Sequence, residues 1–211
     1  MRALILLLGW IHLSMSCSPC SPVSLTESDN CIKIYSRDEW GARPPVQESD
    51  RTEDLLPYVF VHHSAMDECD SVESCSQAVR DIQNLHMDGN SWWDIGYSFL
   101  IGGDGSVFEG RGWNIQGAHT SGFNSVGYGV CFLGDFTLKQ PTQAAIQAYH
   151  NLVFCMRDQN KIRPDYKMFG HRQTKPQGGT ECPGDTLYPI IQSWPGWEDC
   201  TVEDENCLSN S

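Results

Sequence analysis

Two apolar runs in the chain end in histidine. Tyr58-Val59-Phe60-Val61 leads into His62-His63, and Tyr166-Lys167-Met168-Phe169-Gly170 leads into His171. A thiol follows in Thr180-Glu181-Cys182-Pro183-Gly184. Two imidazoles and one thiolate make a three-ligand zinc set, and a fourth position kept for water is the mark of a catalytic rather than a structural zinc. No His-Glu-x-x-His pair is present. By spacing alone, satisfied core histidines compete with the metal reading.

The elements that must hold these residues can be read from periodicity. Residues 58–61 form a continuous apolar run, as in a strand buried on both faces. A second strand over 162–171 carries His171. Val72, Cys75, Val79, Ile82 and Leu85 or His86 recur every three or four residues, predicting an amphipathic helix over 71–87 that Gly89-Asn90 ends. Residues 97–101 read as a strand, 102–105 as a turn and 106–109 as its hairpin partner. A Gly-rich loop over 112–122 carries Trp113 and His119. Residues 125–133 read as another strand, with Gly127 and Gly129 allowing close backbone approach. Thr142 caps a helix whose inner face is Ala145, Tyr149, Leu152, Val153 and Met156. A third helix is expected over 185–194, with Pro189 acceptable only in its first turn. Ser36 and Glu39 have capping-box spacing, so a short helical turn begins there. Strands alternating with helices argue for an α/β fold with a mixed, mainly parallel sheet.

Residues 1–16 read as a cleavable signal peptide: Met1-Arg2, an apolar run too short to span a membrane, then Ser14-Met15-Ser16. The protein is expected to be secreted. Residues 17–30 form a Ser/Pro-rich flexible leader, 31–194 one domain, and 195–211 an acidic tail with little core character. The net charge of −13 argues against nucleic acid or an anionic bilayer as partner, since both need clustered Lys and Arg. Oligomeric state is not legible. Ten cysteines in a secreted chain imply disulfides. With Cys182 kept for metal, at least one other stays unpaired within the chain. Cys131, inside an apolar strand pattern, is expected to be a buried free thiol. Cys17 with Cys20, and Cys200 with Cys207, are local pairs on proximity alone.

Six motifs, in order, resemble the peptidoglycan recognition proteins: Ser36-Arg37-Asp38-Glu39-Trp40-Gly41-Ala42, Val61-His62-His63-Ser64-Ala65, the run from Asp94 through Tyr97 to Gly102, Glu109-Gly110-Arg111-Gly112-Trp113, Gly117-Ala118-His119-Thr120 and Gly170-His171-Arg172. The resemblance covers roughly residues 31 to 194. It implies a central mixed sheet flanked by three main helices, similar to phage-type N-acetylmuramoyl-L-alanine amidases. Catalytic members hold Zn2+ with two His and one Cys, which here match His62, His171 and Cys182. Non-catalytic members typically carry Ser at the Cys position, so the resemblance implies an active amidase. The reaction is hydrolysis of the amide between the lactyl group of N-acetylmuramic acid and L-alanine of the stem peptide, in innate immunity.

The same resemblance makes Tyr97 the catalytic tyrosine and places Thr180 near the scissile bond. It also implies the disulfides Cys69–Cys75 and Cys31–Cys155. Substrate contacts are expected from Trp92, Trp93, Arg111, Trp113, His119 and Asn124: aromatic faces for sugar and peptide, Arg111 for a stem carboxylate. Trp92, preceded by Ser91 where a Gly-Trp pair marks the preference, points toward diaminopimelate-type peptidoglycan. The loop from His171 to Cys182 is longer than the family pattern. A receptor that binds peptidoglycan without cutting it is the alternative function. A purely structural domain with Cys182 in a disulfide would leave His62 and His171 without a shared purpose.

Overall fold

The computed structural model describes residues 31–175 and 179–201. The expected signal peptide and leader, and most of the acidic tail, lie outside the described residues. Six strands form one sheet in the order β1-β4-β3-β5-β2-β6. They are β1 (Ile34–Tyr35), β2 (Leu56–His63), β3 (Phe99–Ile101), β4 (Val107–Glu109), β5 (Gly127–Phe132) and β6 (Ile162–Gly170). Every pairing is parallel except the β3–β4 hairpin. The mainly parallel α/β reading therefore holds.

Helix α1 (Arg37–Trp40) starts at the Ser36–Glu39 capping box, and Gly41 ends it in the left-handed region, where a side chain is disfavoured. Helix α2 (Val72–Asn84) starts at Ser71, whose hydroxyl accepts from the Ser74 N–H. A π-helical turn over Leu85–Gly89 continues it. Its wider turn brings His86 inward and leaves Leu85 exposed, settling the choice between them. Helix α3 (Gln143–Asp158) is capped by Thr142, whose hydroxyl accepts from Ala145 N–H at 3.1 Å and donates to Gly103 O at 2.6 Å. Helix α4 is only Tyr188–Ile191, with Pro189 in its first turn. The helix expected over 185–194 is thus shorter, its flanks being turns. Strand β1, too short for any alternation, was not legible in the sequence. The strand expected from Tyr97 begins at Phe99.

The sheet divides the core into two layers. On one face Val59, Val61, Phe99, Tyr128 and Met168 pack against Tyr149, Leu152 and Met156 of α3. On the other, Leu100, Phe108 and Cys131 meet Val79 and Ile82 of α2. Tyr58, Phe60 and Phe169 form an aromatic cluster on that same side. Core packing continues past Trp194: Glu198 N–H donates to Met168 O, and Trp197 rests on the core. Among the described residues no helix is long and apolar enough to cross a membrane. Disulfides Cys31–Cys155 and Cys69–Cys75 are formed, and Cys131 is a buried free thiol. Cys200 is disulfide-bonded; Cys207, its expected partner, lies outside the described residues, as do Cys17 and Cys20.

Candidate metal centre

The alternation of β2 sends Val59 and Val61 to the α3 face and Phe60 and His62 to the other. His171 begins the 3₁₀ turn at the end of the neighbouring strand β6, so the His62 and His171 rings lie 4.5 Å apart between centroids. Cys182 is drawn back to the same point by its loop: Arg172 N–H donates to Cys182 O at 2.9 Å, and His63 N–H donates to the Cys182 sulfur at 3.4 Å. The sulfur lies 3.7 Å from His62 Nδ1. One ligating atom from each of His62, His171 and Cys182 falls within 4.8 Å of the others. His63 turns away, accepting from Phe136 N–H at Nδ1 (3.2 Å).

His62 and Cys182 are buried and His171 is half-buried, with no compensating negative charge among them. Burial, and then the neighbouring imidazoles, hold His62 well below the ordinary histidine range. Burial and Lys175 bring His171 down to about 4. Burial pushes the Cys182 thiol up to about 12 against the His63 N–H and Arg172. Near pH 7 this is two neutral imidazoles and a thiol, a donor set that suits a borderline-soft divalent cation and that such a cation would convert to two imidazoles and a thiolate. The residues present fit zinc.

The surroundings fix the donors. His62 Nε2 lies 3.3 Å from both Thr120 Oγ1 and His119 Nδ1, leaving Nδ1 toward the sulfur. His119 sits where β5 has Gly129: a Cβ there would come within 2.4 Å of the imidazole, so only glycine admits it. Asn124 Oδ1 accepts from the N–H groups of His119 and Thr120, both at 2.8 Å, and so shapes this loop. The Tyr97 ring lies 5.3 Å from that of His62. Burial raises its phenol well above 10, so it stays protonated and available to donate. Thr180 accepts from Cys182 N–H at 3.2 Å; its hydroxyl braces the thiol loop.

A hollow of about 400 Å³ opens beside His171, lined also by Trp92, His119, Thr120, Asn124 and Lys175. It shares Trp92, Ala118 and Asn124 with a groove of about 320 Å³ that runs on past Trp93 to Ser49 and Arg111. Arg111 is held by Nε to Ile95 O and by Nη1 to Ser49 Oγ and Gln116 O. Trp113 lies apart from the groove lining where it was expected: half-buried, its ring packs 4.4 Å from Phe99 and edge-on to Tyr128, against the core on the α3 face. Sequence reasoning passed over Thr120, although it stood in the Gly117–Thr120 motif. It also passed over His86, which accepts from Gly96 N–H and lies tilted against the Trp92 ring at 4.7 Å, and over Lys175 and Ser49.

Residues 53–185 match the N-acetylmuramoyl-L-alanine amidase family. Peptidoglycan-recognition protein SC2 of Drosophila melanogaster is 40% identical over 167 residues, covering 79% of this chain and 89% of that protein. The human N-acetylmuramoyl-L-alanine amidase is 40% identical over 168 residues, covering 78% of this chain and 29% of that longer protein. The structure of Drosophila PGRP-LB superposes with a TM-score of 0.75 at 40% identity, covering 79% of this chain and 96% of that one. Another neighbour, at TM-score 0.76 and 40% identity over 79% of this chain and 99% of that one, is the LCa–LCx ectodomain complex bound to tracheal cytotoxin. With these matches over most of its length, the chain belongs to the peptidoglycan recognition protein family and carries its N-acetylmuramoyl-L-alanine amidase domain.

Proposed function

We propose that this chain is a secreted, zinc-dependent N-acetylmuramoyl-L-alanine amidase of innate immunity that cuts bacterial peptidoglycan between the lactyl group and L-alanine. The observation that carries the reading is the convergence of buried His62 and Cys182 with half-buried His171 at the end of an open groove. Zinc held there by His62, His171 and Cys182 would supply a Lewis acid for the amide carbonyl and would lower the pKa of the attacking water to roughly 7.

The chain's own groups do the rest. Thr120 and His119 fix the tautomer and angle of His62. Tyr97, protonated in its buried position, donates to the carbonyl oxygen as charge develops there. The hollow beside His171 receives the scissile bond, and the groove from Trp92 and Trp93 to Arg111 receives the stem peptide. Only Nη2 of Arg111 is left for a stem carboxylate, so the contact is a single charge-assisted hydrogen bond rather than a fork. Trp92 in this groove supports a preference for diaminopimelate-type stems.

Relatives named as recognition proteins and relatives named as amidases match almost equally well, which keeps a non-cutting receptor as the alternative. The thiol at Cys182 favours the enzyme. The test is metal content together with product mass. One zinc per chain, and a muropeptide digest yielding intact sugar plus stem peptide with a free L-alanine amine, supports the amidase. A zinc-loaded protein that returns the muropeptide uncut defeats it.

A further inference from the structure

A third cavity, of about 330 Å³, lies beyond Arg111 and shares Ser49 and Arg111 with the groove. The shared linings give an order: metal ligands, hollow, groove, then this chamber. Its wall is the segment from Pro45 to Arg51, and that wall is tied down. Val46 N–H donates to Trp93 O at 2.8 Å, Gln116 N–H to Asp50 O at 2.9 Å and Thr52 N–H to Asn114 O at 3.0 Å. Arg51 also bridges to Ile115 in antiparallel fashion. The chamber is therefore built into the fold.

Its charges are not balanced as the rest of the surface is. Arg37 and Asp94 pair at 2.9 Å, and Arg37 is further held by Gly110 O and Arg43 O. That leaves Arg111 through Nη2, and Arg51, whose guanidinium has no ion pair among the described residues, although it lies close enough to Asp54 to favour that carboxylate's charged form. Within the chamber's own lining only the exposed Glu48 opposes them, also without an ion pair among the described residues. In a chain of net charge −13, this is a locally cationic hollow with an apolar floor at Pro45 and Ile115.

We infer that this chamber is a distal subsite that takes the carboxylate-bearing end of a peptide running out of the groove, with Arg51 as its anion contact. The inference rests on the groove being a muropeptide site. A peptide anchored by its scissile amide at the metal must leave the groove past Arg111, and a longer stem enters the chamber. The Arg51 backbone is fixed by its bridge to Ile115, so only its exposed side chain has to be ordered when an anion arrives.

The test uses Cys182→Ser protein, so that ligands survive, and synthetic muramyl peptides with three- and five-residue stems, each as C-terminal acid and C-terminal amide. The five-residue acid is expected to bind about tenfold tighter than its amide, as one charge-assisted contact would give. Arg51→Gln is expected to erase that ratio while leaving the three-residue peptides unchanged, and Arg51→Lys to keep part of it. An acid-to-amide ratio that Arg51→Gln does not change, or equal weakening of all four peptides, overturns the subsite. Failure of every muramyl peptide to bind instead overturns the groove reading on which it stands.

Discussion

Asp94→Ala should be among the most damaging single changes outside the metal centre. The Asp94 side chain is only 9% exposed. Its Oδ1 accepts from Gln83 Nε2 of α2 at 2.7 Å, from Arg37 Nη2 of α1 at 3.1 Å and from Ile95 N–H at 2.8 Å, while Oδ2 lies 2.9 Å from Arg37. One side chain thus joins two helices to the segment that delivers Tyr97. Removing one partner of a buried ion pair costs about 3–5 kcal/mol. Arg37 is about a quarter exposed, and water will recover part of its solvation, so the lower end applies, about 3 kcal/mol. For a chain of this size that is a fall in Tm of roughly 6–12 °C. Asp94→Asn keeps an acceptor at Oδ1 and loses the charge, and should cost less than half as much. Urea unfolding of metal-free protein at pH 7 reads both. A loss below about 1 kcal/mol for Asp94→Ala, on the scale of an exposed pair, would refute the strut.

The remaining predictions concern pH, packing and catalysis. His86 is held down from 6.5 to about 4, chiefly by burial. The unfolded chain therefore takes up its proton first, and stability present above pH 6.5 is lost as pH falls toward 4, by about 3 kcal/mol in all. His86→Gln should flatten that part of the stability–pH curve, measured by urea midpoints; an unchanged slope would remove His86 as its source. Trp113→Ala should cost about 3–5 kcal/mol of stability as a core truncation and leave muropeptide affinity within about twofold. The opposite pattern would return Trp113 to the binding surface. Tyr97→Phe should lower kcat by about 10²–10³ with little change in KM, as for loss of one donor to a developing oxyanion. Equal activity would leave Tyr97 a packing residue.

What was legible in the sequence was local. The Ser36–Glu39 box, the Thr142 cap and the inner face of α3 rest on spacings of three and four residues, and all three form as read. The apolar run before His62 gave the central strand because burial on both faces leaves an unbroken apolar signature. What failed depended on partners distant in sequence. Strand β1 exists because Ile34 and Tyr35 find Val107 and Phe108. Trp113 lies in a Gly-rich loop with no period, so nothing local says which face of the sheet it meets. At Leu85 or His86 the helical period left both residues open, and the π turn decides for His86 by shifting the inward face by one residue. The brace between Thr120 and His62 spans 58 residues and is visible only once the sheet is folded.

The measurement that bears most directly on the account is release of free stem peptide from a defined muropeptide by wild-type protein and by Cys182→Ser, each with zinc and with chelator, with binding measured on the same samples. A zinc amidase releases stem peptide as the zinc-loaded wild type, loses that release with chelator, and as Cys182→Ser binds but does not cut. Tight binding without release by the zinc-loaded wild type would contradict it and make the chain a receptor. Undiminished release by Cys182→Ser would contradict it in the other direction, because the thiol would then hold no catalytic metal.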